Sequence, residues 1–311
     1  AAGSLNVALH QDPGSWDPIA TFLVAWGGVG SHVFDGLVIR TPDMKLVPGL
    51  ATKWEFLDKN AKLRFTLRTG VKFHNGEPFD AEAVKFTFDR LLGDEGKKGP
   101  QQANYNAIEK VVVVNATTVD FIMKSPDPVL LTKLAGYGAM IVPPKYIAEK
   151  GAAYFAANPV GTGPFKFAEY KPKISLTLEK NAAYWGGAPK LDGLNYRFIA
   201  EPATQAAELQ AGRLDVANRI PLSMIATLKK DSKLGVVSLA GPTALALRFN
   251  TQRGIMKDRE VRRALIMAVD RDAIIKTLLL GNASAIASFQ GALSFGNDPA
   301  LKPLPYDPAK A

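Results

Sequence analysis

Near the middle of the chain, Asn158-Pro159-Val160-Gly161-Thr162-Gly163-Pro164 sets two prolines and two glycines within seven residues. No regular helix or strand tolerates that density. Proline fixes φ and removes a backbone donor, and glycine raises the entropy lost on ordering. The run therefore reads as a tight crossing segment.

On the N-terminal side, Leu5, Val7 and Leu9 alternate as a first strand, followed by a loop holding Asp12-Pro13-Gly14 and Asp17-Pro18. Trp54-Glu55-Phe56 and Leu63, Phe65, Leu67 flank Asp58-Lys59-Asn60 as a hairpin. Asp80 is placed to cap a helix carrying Val84, Phe88, Leu91 and Leu92, with Gly93 as its stop. Lys110 to Met123 is β-branched on both sides of Asn115-Ala116, a second hairpin.

On the C-terminal side, Ile174, Leu176 and Leu178 alternate as a strand. A short helix through Ala206, Leu209 and Gln210 ends at Gly212, and Asp215-Val216-Ala217 begins another strand. Leu245, Leu247 and Phe249 alternate again. Val261, Ala264, Leu265, Ala268 and Val269 keep helical spacing after Asp258. Asp270 is set to cap a following helix that carries Ile274, Ile275, Leu278 and Leu279 and stops at Gly281. The last thirty residues are loop-like, and Asp307-Pro308-Ala309-Lys310-Ala311 resembles a first helical turn. Strands and helices mix without a strict βαβ rhythm, so the class is α/β or α+β with at least two lobes. The 311 residues agree with two domains at about 150 each.

Composition excludes several functions. With 47% hydrophobic residues the chain is no disordered polyelectrolyte, and no uncharged apolar run approaches the roughly 18 residues of a membrane span. The absence of Cys removes disulfides, thiolate metal sites and thiol nucleophiles. The net charge of +9 is spread out, its densest groups being pairs such as Lys97-Lys98 and Lys229-Lys230, so no nucleic-acid partner is expected. The N-terminal Ala1-Ala2-Gly3-Ser4-Leu5 has neither a basic nor an apolar leader region; an export signal has been removed or never existed.

Catalytic signatures are missing. His10, His32 and His74 have no partners at metal-ligand spacing, and no Gly-x-Ser-x-Gly elbow occurs. Gly161-Thr162-Gly163 lacks the Gly-Lys-Ser/Thr ending of a phosphate loop, and Pro164 removes a donor. Glu77, Asp80 and Glu82 read as turn and cap residues. No enzyme activity, metal or cofactor is expected.

Several long stretches then converge. Arg64 to Val84 (Arg64-Phe65-Thr66-Leu67-Arg68-Thr69-Gly70-Val71-Lys72-Phe73-His74-Asn75-Gly76-Glu77-Pro78-Phe79-Asp80-Ala81-Glu82-Ala83-Val84) resembles a signature of the bacterial dipeptide/oligopeptide-binding proteins, the family 5 solute receptors of ABC importers. Pro159 to Phe165 with Asn181 and Tyr184-Trp185-Gly186-Gly187, Leu209 to Asp215, and Phe249-Asn250-Thr251 followed by Val261 to Leu265 and Ala268 to Arg271 resemble further signatures in the same order and spacing.

The resemblance implies an α/β periplasmic-binding-protein-like fold, a type II Venus flytrap with an extra accessory lobe and an incomplete distal lobe. Residues 1–45 and 160–250 would form the base lobe, 46–159 the accessory lobe and 251–311 the start of a truncated distal lobe, because family members continue past residue 311. It also implies capture of a peptide or similar small solute in a cleft between lobes and delivery to ABC transporter permease subunits. Contact with the membrane complex would be peripheral. A sugar, an opine-like conjugate or a metal chelate is the alternative solute, and a hydrolase sharing the lobed architecture the alternative class. A free periplasmic receptor with its signal peptide removed is expected, since the chain holds no Cys for a lipid anchor.

In this family the loop after the first strand approaches ligand, which here points to Thr21, Phe22, Trp26 and His32. Trp26 has two readings, a stacking plate or a core plug beneath Gly27-Gly28. Tyr137, between two glycines, offers an aromatic plate with a hydroxyl. Arg248 either faces solvent or reaches the cleft to take a carboxylate or phosphate, and Asn250 either fixes a turn or touches ligand. The signature residues Phe65, Leu67, Phe73, Gly76, Pro78 and Asp80 read as architecture.

Overall fold

The computed structural model describes residues 3–311 except 240, 242, 243, 293 and 295. The chain forms two compact units, Ala1–Arg219 and Ile220–Ala311.

The first unit runs β1 (Ser4–Leu9), α1 (Val24–Val33), β2 (Val38–Arg40), β3 (Leu46–Pro48), β4 (Ala51–Leu57), β5 (Lys62–Leu67), α2 (Ala81–Leu92), β6 (Ile108–Asn115) and β7 (Thr118–Met123). It continues through α3 (Leu130–Leu134), α4 (Pro144–Lys150), α5 (Ala152–Ala157), β8 (Phe165–Lys171), β9 (Ser175–Lys180), β10 (Gly193–Phe198) and α6 (Pro202–Gln210).

One sheet has the order β1-β10-β9-β8, with β1 parallel to β10 from Ser4↔Gly193 to Leu9↔Phe198 and the other pairs antiparallel. A second, wholly antiparallel sheet has the order β4-β5-β7-β6, so the two expected hairpins join through β5 and β7. The β4–β5 turn holds Asp58, Lys59 and Asn60 at φ of 52°, 54° and 70°, a conformation that Asp and Asn tolerate better than most residues.

Each sheet has its own apolar core. Against the β4–β7 sheet packs α2, capped by Asp80, whose side chain accepts from the Ala83 amide at 3.1 Å. Phe88 of α2 meets Phe121 at 4.7 Å between ring centroids, and Phe121 meets Phe65 at 5.2 Å. The other core gathers Trp26, Val29 and Val33 of α1 with Leu176, Leu178 and Tyr196 of the first sheet.

The strand expected at 215–217 is a single parallel bridge, Val7↔Val216. Asp215 closes the N-terminal side of the bridge: its carboxylate accepts from the Asn6 backbone amide at 2.7 Å, the donor an extension towards Leu214 would need.

The second unit holds α7 (Leu222–Leu228), α8 (Arg259–Met267) and one α-turn, α9 (Arg271–Ala273), that widens into a π-turn over Ile274–Leu278. Asp270 caps as expected, accepting from the Ala273 amide at 2.8 Å, and Asp258, where a helix start was expected, caps α8 by accepting from the Glu260 amide at 2.7 Å. The regular helix expected after Asp270 is thus replaced by a wider coil, ending at Gly281 with φ 77°. The strand expected at 245–249 is irregular: among the described residues no strand pairs with it, and Leu245 and Leu247 stay 83% and 75% exposed. Among the described residues of this unit, Leu228 and Met267 are the hydrophobic side chains that reach full burial.

Candidate functional site

The loop between β1 and α1 is pinned along its length. Asp12 accepts from the Gly14 amide at 2.9 Å, from the Tyr170 hydroxyl at 2.8 Å and from the Lys173 amide at 2.6 Å. Trp16 is buried edge-on against Phe167 and Tyr170. Asp17 accepts from the Ile19 amide and takes a forked pair of hydrogen bonds from Arg90 of α2, which also bonds Glu95. Burial works against the Arg90 charge, yet the hydrogen bonds of Asp17 and Glu95 raise its pKa above the ordinary value.

Downstream, Thr21 is buried; its hydroxyl accepts from the Leu23 amide at 3.0 Å and its carbonyl from the Gln101 side chain at 2.5 Å. α1 then begins at Val24 without a side-chain cap. Phe22 and Val24 project outward, 52% and 79% exposed. Trp26 is completely buried, stacked on Phe34 at 6.0 Å and tilted against Tyr137 at 5.2 Å, with its indole N–H unpartnered among the described residues. Tyr137 lies over Gly27, where a Cβ would fall 1.9 Å from the phenol oxygen. Burial raises the Tyr137 pKa, and its hydroxyl has no hydrogen-bond partner among the described residues.

Four of the expected residues, Thr21, Phe22, Trp26 and Tyr137, thus belong to one locality at the start of α1. His32 sits near the other end of the helix, its Nδ1 3.3 Å from the Tyr196 hydroxyl and its ring edge-on to Phe165. Burial lowers its pKa, opposed by a hydrogen bond with the Gly28 carbonyl. Arg248 and Asn250 lie in the second unit. Arg248 is exposed and lines an open hollow of about 560 Å³ with Leu247, Phe249, Thr251, Arg262 and Phe289. Asn250 accepts from the Gln252 amide at 3.1 Å and closes a local turn. Val24, Arg90 and Gln101 were not read from the sequence; Gln101 sits in a Gly-Pro-Gln-Gln loop without periodicity, while Arg90 lies on the polar side of the expected helix.

The model of the bacterial extracellular solute-binding proteins, family 5 (middle part), matches residues 45–311. The chain belongs to this family. Its relatives include the glutathione-binding protein GsiB of Pectobacterium atrosepticum, 32% identical over 91% of this chain and 55% of that protein. GsiB of Salmonella typhimurium is 30% identical over 100% of this chain and 60% of its own length. The chain therefore spans less than two thirds of the curated relatives it matches. Among solved structures, NikZ of Campylobacter jejuni in complex with Ni(L-His) superposes with a TM-score of 0.87 at 28% identity, covering 99% of this chain and 61% of NikZ. The periplasmic binding protein DppA of Helicobacter pylori, in complex with the peptide STSA, gives 0.86 at 26% identity over 99% and 64%. The α/β fold is that of the family 5 periplasmic solute-binding proteins, a family of receptors rather than enzymes.

The family 5 signature segments meet in space. His74 clamps the crossing run: its amide donates to the Gly161 carbonyl at 2.9 Å, its Nε2 lies 2.9 Å from the Gly163 carbonyl, and its Nδ1 lies 3.3 Å from the Gly161 amide. With a carbonyl at Nε2 and an amide at Nδ1, the proton belongs on Nε2. Among the described residues no group of three His, Asp or Glu side chains is placed to hold a metal ion.

Proposed function

We propose that the chain is the solute-capturing part of an extracytoplasmic receptor for an ABC importer, which takes up a peptide or similar small solute and hands it to permease subunits. The single observation that carries this reading is the shelf at the start of α1, where Phe22 and Val24 stand exposed on a rigidly pinned backbone beside Tyr137. Apolar side chains held in water without a packing role suit a surface that is completed by a ligand. Thr21 fixes the shelf, Trp26 supports it from beneath, and Phe22, Val24 and Tyr137 supply contact area. His32 sets the far end of α1; in the second unit, taken by itself, exposed Arg248 is a candidate to take a carboxylate, with Asn250 shaping its turn.

In this reading 1–45 and 160–250 form a base lobe, 46–159 an accessory lobe and 251–311 the start of a distal lobe; the boundary between the compact units, at 219/220, falls inside the second base-lobe stretch. The receptor works in the periplasm after loss of a signal peptide. No helix among the described residues is long and apolar enough to cross a membrane.

No side chain of α1 is charged apart from a neutral-leaning His32, so solutes with an apolar face are favoured over highly charged ones. A metal chelate is the second reading, supported by the likeness to NikZ in complex with Ni(L-His). Thermal unfolding with reduced glutathione, a set of di- to tetrapeptides and Ni(L-His) tests both. A saturable rise, worth about 2.7 kcal/mol at a hundredfold excess over Kd, identifies the class, and its loss in Phe22→Ala locates the shelf. No shift with any of them would count against the reading.

A further inference from the structure

The two segments that form the shelf, α1 and the stretch around Tyr137, meet at one residue that neither the sequence patterns nor the comparisons single out. Asp35 follows α1 by two residues. Its carbonyl accepts from the Ile141 amide at 3.0 Å, and Gly36 bridges Met140, so the segment leaving Tyr137 is fastened to it by backbone hydrogen bonds. Through Phe34, which stacks on Trp26, it adjoins the aromatic support of the shelf.

The side chain of Asp35 points the other way, into protein. It is buried, and each of its oxygens is used. Oδ2 accepts from the Thr162 hydroxyl at 2.8 Å and from the Trp185 indole N–H at 2.8 Å, and Oδ1 from the Tyr184 hydroxyl at 3.2 Å. Thr162 belongs to the crossing run and Tyr184-Trp185 to the turn after β9. Arg68, whose guanidinium lies 4.3 Å from the Trp185 ring centroid, is the cation whose charge reaches Asp35. Phe34 belongs to one hydrophobic core, while Leu37 and Trp185 pack in or against the other. The carboxylate is a polar pin in the seam between two cores.

We propose that Asp35 is the positioning residue of the solute shelf, holding α1 and the Tyr137 segment in register on the crossing run through Thr162, Tyr184 and Trp185. A buried carboxylate costs desolvation and is poor value as mere glue; three convergent donors fix its place and direction in a way that apolar packing does not. That the two segments face solute rests on the receptor reading, whereas the coupling of both to Asp35 does not.

Hydrogen exchange of the chain without solute separates the two. In Asp35→Ala, peptides covering 20–34 and 136–142 should exchange about tenfold faster or more, the effect of losing a hydrogen bond or more locally, while those from 51–67 and 108–123 keep their rates. Asp35→Asn, which retains one acceptor, should fall between. Trp185→Phe keeps the ring over Arg68 and deletes one donor, so it should show the same pattern at lower amplitude and serves if Asp35→Ala does not fold. Equal acceleration in all four regions, or none in 20–34 and 136–142, overturns the proposal. Either result leaves the solute-binding experiment untouched.

Discussion

Arg90 on α2 and Asp17 in the β1–α1 loop face each other as a forked pair, with Arg90 Nη1 3.0 Å from Asp17 Oδ1 and Nη2 bonded to Oδ2; their side chains are 4% and 7% exposed. A contact between residues 73 positions apart thereby ties the loop that leads to Thr21 and Phe22 onto the β4–β7 body.

Removing one member strands the other in a dry site. Arg90→Met should lower unfolding stability by about 3–5 kcal/mol, as breaking buried pairs does, and Asp17→Asn by less because the amide still accepts. The double variant should lose less than the sum of the singles. Urea unfolding of the four proteins measures this; additive losses would show that the pair is not coupled.

His74 gives the stability a pH dependence of known sign. Burial, opposed by the Gly163 hydrogen bond and helped by the Lys166 charge, lowers its pKa from 6.5 to about 4. Between those values the unfolded chain binds a proton that the native one refuses. The contribution is therefore complete above about pH 6.5, declines as pH falls and is gone below about 4, a change of up to about 3 kcal/mol. Asp35, whose pKa burial raises, acts in the opposite sense. Comparison with His74→Gln at about pH 7 and pH 4.5 isolates the histidine: the variant should lose much of this slope, and identical slopes would refute the assignment.

Glu77 works at a distance. Its two oxygens accept from the amides of Lys145 at 2.8 Å and Tyr146 at 3.3 Å, capping α4, which has no side-chain cap of its own. Glu77→Ala should cost about 1 kcal/mol and speed amide exchange over 144–150, with the helix α2 unaffected.

Gly27 and Tyr137 should be energetically coupled. Gly27→Ala places a methyl inside the phenol ring's space and is expected to destabilise by about 1–3 kcal/mol. In a Tyr137→Ala background the same substitution should be nearly neutral. A penalty that persists there would mean that the helix backbone, not the ring, rejects the methyl.

The elements legible in the sequence were those whose causes are local. Asp80, Asp258 and Asp270 cap within three residues of themselves, and the two hairpins close on short turns. The elements misread depend on lateral partners. Val216 forms only a bridge, with Asp215 holding the Asn6 amide on its N-terminal side, and among the described residues Leu245 to Phe249 has no strand beside it. Asp35 was invisible for a related reason: the donors it gathers lie 127, 149 and 150 residues away, and no periodicity marks an aspartate between a helix and a short strand. The shelf was partly legible, since the loop after β1 was singled out through the family resemblance, but the buried side of Trp26 depends on packing that a pattern does not carry.

The parallel pairing of β1 with β10 has a consequence for the order of assembly. Ser4 waits for Gly193, whereas every ladder of the β4–β7 sheet closes within residues 51–123. During vectorial synthesis the second sheet has all its strands available while β1 still lacks its neighbour. Within this unit, β1 is thus made well before its parallel neighbour and is among the last strands to be secured.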